Sequence, residues 1–178
     1  MFTKMINILK ENPRKIVFPE GSDPRILEAS AKLLAEGILT PILVGNKEET
    51  LKLAQENNLD ISKAKIIDPN TSDKFSEYAN TFYELRKAKG MTLDKAKEMM
   101  KDSVYFGMMM VKAEDADGLV SGACHSTADT LRPALQILKT APGVKLVSAF
   151  FLMNVPNCDY GENGLFIFSD SGLNVNPN

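Results

Sequence analysis

KIVFPEGSDPRILEASAKLLAEGILTPILVGN, residues Lys15–Asn46, carries the pattern that decides the fold. KIVFP (Lys15–Pro19) is a short apolar run and reads as a buried strand. Asp23-Pro24 then reads as a helix N-cap with proline at the first helical position. Ile26, Ser30, Leu33 and Leu34 keep helical spacing, and Gly37 reads as the C-terminal stop. TPILVGN (Thr40–Asn46) is a second apolar run. Strand, helix and strand in this order make a βαβ unit, whose strands lie parallel.

The same rhythm continues downstream. A helix is expected over Lys47–Asn57 and a strand at Lys65–Pro69. Phe75, Tyr78, Ala79, Phe82 and Tyr83 form an amphipathic stripe that ends at Gly90. Helical segments follow at Thr92–Met100 and Asp102–Ala113, then a strand at Asp117–Gly122 and a helical segment over Ser126–Lys139. Alternation of this kind implies an α/β fold of three layers, a mostly parallel sheet with helices on both faces. The rhythm changes near Pro142-Gly143. Two strands, Lys145–Met153 and Gly164–Asp170, follow each other with only the Asn154–Asn163 loop between them. We therefore expect a first α/β domain over residues 1–141 and the opening strands of a second, incomplete one over 142–178.

Composition excludes several classes. Lys+Arg 21 against Asp+Glu 23 gives a net charge of −2, so no basic field is available for non-specific nucleic-acid binding. The longest apolar run, Lys145–Met153, falls short of the roughly 20 residues of a membrane span. The N-terminus has no signal-peptide pattern. Two cysteines, Cys124 and Cys158, and one histidine, His125, make neither a disulfide framework nor a zinc set. A reduced, cytoplasmic protein is expected. Gly-rich dinucleotide and P-loop motifs are absent, as are HExxH, the EF-hand loop and GxSxG.

Candidate chemistry concentrates in Gly118–Pro133, where a strand ends, a turn of small and hydroxyl residues follows, and a helix begins near Ser126. Ligands of open α/β sheets bind at strand carboxyl ends, and helix N-termini attract anions. Ser121, Ser126 and Thr127 offer hydroxyls, and Arg132 offers a guanidinium for a phosphate. Spacing equally allows Ser126 to be a plain N-cap and Arg132 a solvated residue. His125 reads as an acid/base group or as a structural histidine. Glu20–Arg25 is a second strand-to-helix turn open to an anion or to simple capping, and Arg86 stands at a helix end among lysines. Asp159 beside Cys158 disfavours a thiolate nucleophile there.

KIVFPEGSDPRILEA, TPILVGN, ADGLVSGACHSTADTLRPALQILKTAPGVKLVSAFFLM and FSDSGLNVNPN resemble the phosphate acetyltransferase family, with HSTADTLRPALQ the most specific block. The resemblance runs from about Lys15 to the last residue; phosphate butyryltransferases share the fold but keep that block less faithfully. It implies a fold like isocitrate/isopropylmalate dehydrogenase, with two α/β domains in a chain roughly twice this long, commonly dimeric. It implies acetyl transfer between CoA and phosphate, with acetyl-CoA and acetyl phosphate as partners, no metal, and CoA as substrate in place of a cofactor. By resemblance Arg132 contacts phosphate or CoA, Arg86 serves CoA, Ser126 and Thr127 line a phosphoryl-binding turn, and Cys158 lies near the site without being its nucleophile. Family members typically have valine where Cys124 stands. The implied catalytic base, an aspartate near a Ser-Arg pair, belongs to the family's C-terminal half. The alternatives are a non-catalytic CoA- or phosphate-binding module and an acyltransferase for longer chains.

Overall fold

Side chains of successive strand residues point to opposite faces, so a strand that is apolar at every position needs cover on both sides. In the computed structural model, which describes residues 2–170, the strands meet that demand. β1 (Arg14–Phe18), β2 (Leu39–Val44), β3 (Lys65–Ile67) and β4 (Gly118–Leu119) form one parallel sheet in the order β3-β2-β1-β4. Ile16, Phe18, Leu43 and Ile66 face one side and pack with Leu27 of α2 (Pro24–Glu36) and Ala54 of α3 (Lys47–Glu56). Val17, Ile42, Val44 and Ile67 face the other. There they meet α4 (Phe75–Arg86), α5 (Leu93–Met99), α6 (Ser103–Lys112) and α7 (Thr127–Ile137). The expected α/β class with helices on both faces is what this unit forms.

The helix ends follow the local chemistry. The Asp23 side chain accepts from Arg25 N–H, and Gly37 takes the left-handed conformation that closes α2. Asn46 accepts from Glu49, Thr92 from Lys95, and Asp102 from Val104 and Tyr105. Pro133 sits inside α7 and has no N–H to give the preceding turn.

Three elements differ from the sequence reading. α1 (Phe2–Glu11) is a helix absent from the sequence reading; Phe2, Met5, Ile6 and Leu9 keep helical spacing, but the helix buries no residue. β4 keeps only Gly118–Leu119 of the expected Asp117–Gly122, because residues from Gly122 onward curl onto Glu20 instead of extending. β5 (Phe150–Asn154) is shorter than Lys145–Met153, because its antiparallel register with β6 (Leu165–Ser169) ends at Phe150↔Ser169 and Asp170 closes that end on Ala149.

The described chain divides into two units, one through Leu138 and one from Lys139 onward. The second contains the β5–β6 hairpin. Phe150 and Ile167 on one face are 67% and 68% exposed, and Phe151 and Phe168 on the other are 59% and 50% exposed. Contiguous apolar surface with open strand edges favours association. Light scattering of the purified chain is expected to show oligomers, and a double substitution Phe150→Lys, Phe168→Lys is expected to reduce them. A monodisperse wild-type monomer contradicts this.

Candidate functional site

The sheet order decides where loops meet. β1 leads to β2 on one side, while β4 lies on its other side, so the carboxyl ends of β1 and β4 flank the point where the topology reverses. Open α/β sheets bind ligands at such points. The turn after β1 carries Glu20, and the turn after β4 carries Ser121–His125.

Glu20 is buried, with no exposed side-chain surface. Its carboxylate accepts from four successive backbone N–H groups: Gly122 (3.2 Å), Ala123 (3.0 Å), Cys124 (2.8 Å) and His125 (3.0 Å). His125 Nδ1 lies 2.8 Å from the same carboxylate. Burial by itself raises this carboxyl's pKa. The Cys124 N–H, the His125 ring and the Ala123 and His125 N–H groups outweigh burial and hold it down, from 4.5 to about 2. Arg25 adds a second tie, its Nη2 donating to Ala123 O at 2.6 Å while the same side chain pairs with Asp23 at 2.7 Å. The anion that this N–H cradle holds is therefore the protein's own carboxylate.

The glycine after Glu20 makes the crossing possible. A Cβ on Gly21 would lie 2.8 Å from Val44 O, and Gly21 N–H donates to that oxygen at 3.2 Å. An acid placed between a buried strand and such a glycine was the one sequence signal for Glu20, and residue spacing alone did not give its partner.

Beyond the cradle lies a pocket of about 270 Å³ lined by Ser121, Gly122, His125, Ser126, Thr127, Thr130 and Leu131. It brings together Ser121, His125, Ser126 and Thr127 from the sequence reading. The Ser126 hydroxyl donates to Asp129 Oδ2 at 2.6 Å and accepts from Asp129 N–H at 3.2 Å, a capping box that closes the start of α7.

Arg132 and Arg86 fall in a different group. Arg132 is on α7 and Arg86 ends α4, and both cations act on the phenol of Tyr105 in α6. Burial pushes the Tyr105 phenol up, while Arg132 and Arg86 oppose that. Tyr105 also donates to Gln136 at 3.2 Å. Among the described residues neither arginine has an ion-pair partner, and Arg86 Nε is buried without a hydrogen bond. Tyr105 lies in the Asp102–Ala113 helical segment and is not among the candidate site residues of the sequence analysis.

Cys158 belongs to the second unit, in the loop between β5 and β6, and is half-buried. Glu20, Cys124 and His125 hold ligand-type atoms within 4.8 Å of one another. The carboxylate is already engaged by the loop, and burial followed by the nearby Glu20 charge pushes the Cys124 thiol up, away from the thiolate a metal needs.

The sequence model of the phosphate acetyl/butaryl transferase family matches residues 1–178. This chain belongs to that family. A phosphate acetyltransferase from Thermoanaerobacterium thermosaccharolyticum is 59% identical over 98% of the chain, and one from Acetivibrio thermocellus is 51% identical over 98%. The chain spans about half the length of these curated relatives, 52% of each. Two solved structures share the fold. The EutD phosphotransacetylase from Staphylococcus aureus has a TM-score of 0.83 at 43% identity, covering 97% of this chain and 51% of that one. A phosphotransacetylase from Streptococcus pyogenes has a TM-score of 0.84 at 42% identity, covering 93% and 49%. Transferase and acyltransferase chemistry are thus properties of the phosphate acetyl/butaryl transferase family to which the chain belongs. Among the described residues no helix is long and apolar enough to cross a membrane.

Proposed function

We propose that this chain carries one anion-binding wall of a phosphate acetyltransferase, which exchanges acetyl-CoA and phosphate for acetyl phosphate and CoA. The observation that carries this reading is the pair Arg86 and Arg132. Neither forms an ion pair among the described residues: Arg86 is half-buried with an unpartnered Nε, and Arg132 is exposed and acts at longer range on Asp129, in a chain whose relatives are named for this reaction. A guanidinium left unpaired beside the core favours a phosphate or pyrophosphate, which it can grip with two bonds.

In this mechanism Arg86 and Arg132 hold phosphate groups of CoA or the transferring phosphate. The hydroxyls of Ser121 and Thr127, with His125, line the neighbouring pocket. In the direction of acetyl phosphate consumption, the CoA thiol loses its proton to a base and the thiolate attacks the acetyl carbonyl. The carbon–oxygen bond to phosphate then breaks, and the arginines neutralise the departing charge. The base is proposed to lie in the part of the relatives' length that this chain does not span. CoA enters as a substrate, with no further cofactor or metal in the chemistry. Cys158 is proposed to sit near the site without acting as nucleophile. The full-length protein is proposed to work in the cytoplasm as a homodimer. The names of the relatives favour acetyl over butyryl as the transferred group.

Calorimetry with CoA and with inorganic phosphate tests the reading. The chain is expected to bind CoA, and Arg132→Ala and Arg86→Ala are each expected to weaken binding by about tenfold, the loss of one charge-assisted contact. A thiol-release assay is expected to show little or no turnover from this chain alone. Absence of CoA binding, or CoA binding unchanged by both substitutions, overturns the proposal.

A further inference from the structure

We propose that Glu20 is a positioning residue that orients the His125 ring, so that Nε2, the ring's one uncommitted nitrogen, presents to the Ser121–Leu131 pocket and there accepts a hydrogen bond from a protonated oxygen of phosphate. Three observations carry it. The Glu20 carboxylate is fully enclosed and fixed by four backbone N–H groups, so it cannot turn to follow the ring. His125 Nδ1 lies 2.8 Å from it, which makes Nδ1 the proton-bearing nitrogen of the neutral ring, because an ionised carboxylate only accepts. The ring is part-exposed and lines the pocket together with Ser121, Ser126, Thr127 and Thr130.

The consequence for recognition is specific. The backbone N–H groups of residues 122–125 are engaged by Glu20 and do not reach a ligand. The groups the pocket offers are His125 Nε2, the Ser121 and Thr127 hydroxyls and the first N–H of α7, with the Ser126 hydroxyl held by Asp129 and the Thr130 hydroxyl donating to Ser126 O at 3.3 Å and Ser121 Oγ at 3.4 Å. A carboxylate behind a histidine fixes the tautomer and the ring plane in the way that outer partners of metal-bound or catalytic histidines do. The phosphate contact rests on the acetyl-transfer reading; the orientation of the ring does not.

The chain has one histidine, so its imidazole nitrogens are observable without assignment ambiguity. Nitrogen-15 NMR of the wild-type chain, well above the ordinary histidine range of pH, is expected to show Nδ1 protonated and Nε2 unprotonated. Titration with inorganic phosphate is expected to shift Nε2 saturably and more than Nδ1. Glu20→Gln is expected to give a mixture of tautomers and to weaken the phosphate response by about tenfold. Circular dichroism shows whether that variant folds; if it does not, the wild-type measurements decide. A ring protonated at Nε2 overturns the proposal. So does a correct tautomer with no saturable phosphate response, or a folded Glu20→Gln protein that keeps both signatures. CoA binding at Arg86 and Arg132 with failure here leaves the acetyl-transfer reading standing. Success here without CoA affinity removes that reading alone.

Discussion

Replacing Glu20 by alanine is expected to destabilise the first unit by about 4 kcal/mol, because it leaves four backbone N–H groups at residues 122–125 without their acceptor. Each abandoned donor costs about 1–3 kcal/mol if it stays buried, and partial opening of the loop to water reduces the sum. The same carboxylate predicts acid sensitivity. Its pKa is lowered from 4.5 to about 2 by folding, so the folded state holds the charged form more tightly than the unfolded chain does. That stabilisation is fully present above the unfolded value and is lost as pH falls through the folded one. The difference corresponds to about 3 kcal/mol, released between about pH 5 and pH 2. Urea unfolding across that window is expected to show a steeper loss for wild type than for Glu20→Gln, which has no proton to take up. Parallel losses in the two proteins would remove the assignment.

Phe82→Ala is the second large effect. Phe82 is completely buried in α4, and its ring centroid lies 5.6 Å from that of Tyr105. Removing a buried phenyl ring costs about 3–5 kcal/mol through lost transfer energy and the cavity left behind. Tyr78, Phe82 and Arg86 are four residues apart and share one helix face, so the same change loosens the support of Arg86. Denaturant unfolding is expected to show the full loss, with CoA binding weakened in the surviving folded fraction. A control at exposed Leu51 (45% exposed), Leu51→Ala, is expected to cost under about 1 kcal/mol. A Phe82→Ala protein as stable as the Leu51→Ala control contradicts the packing described here.

Local chemistry made much of the first unit legible. Asp23, Asn46, Thr92, Asp102 and Ser126 cap helices where their side chains can reach the first free N–H groups. Such signals need only neighbouring residues. α1 lies outside the sequence reading although Phe2, Met5, Ile6 and Leu9 keep helical spacing; the segment carries no N-cap residue before it, and its apolar stripe buries nothing among the described residues. β4 was read too long because the pull of Glu20 on its last residues is a contact across 102 to 105 positions. For the candidate site, residue types suggested the hydroxyl-rich turn, and the family resemblance suggested the two arginines. Neither said that the turn's N–H groups would face an internal acid, or that Tyr105 would stand beside Arg86 and Arg132.

From β1 onward the alternation of strands and helices and the two-faced burial of the strands are legible in the residues alone, because these depend on periodicity and on caps within a few residues. The pairing of β4 with β1, and not with β3, emerges only in the folded chain. Strand order is set by how both helical layers close over the sheet, a sum over the whole unit that no single stretch encodes. That choice brings Glu20 to His125, joining the two strand-to-helix turns that the sequence offers only as separate candidates.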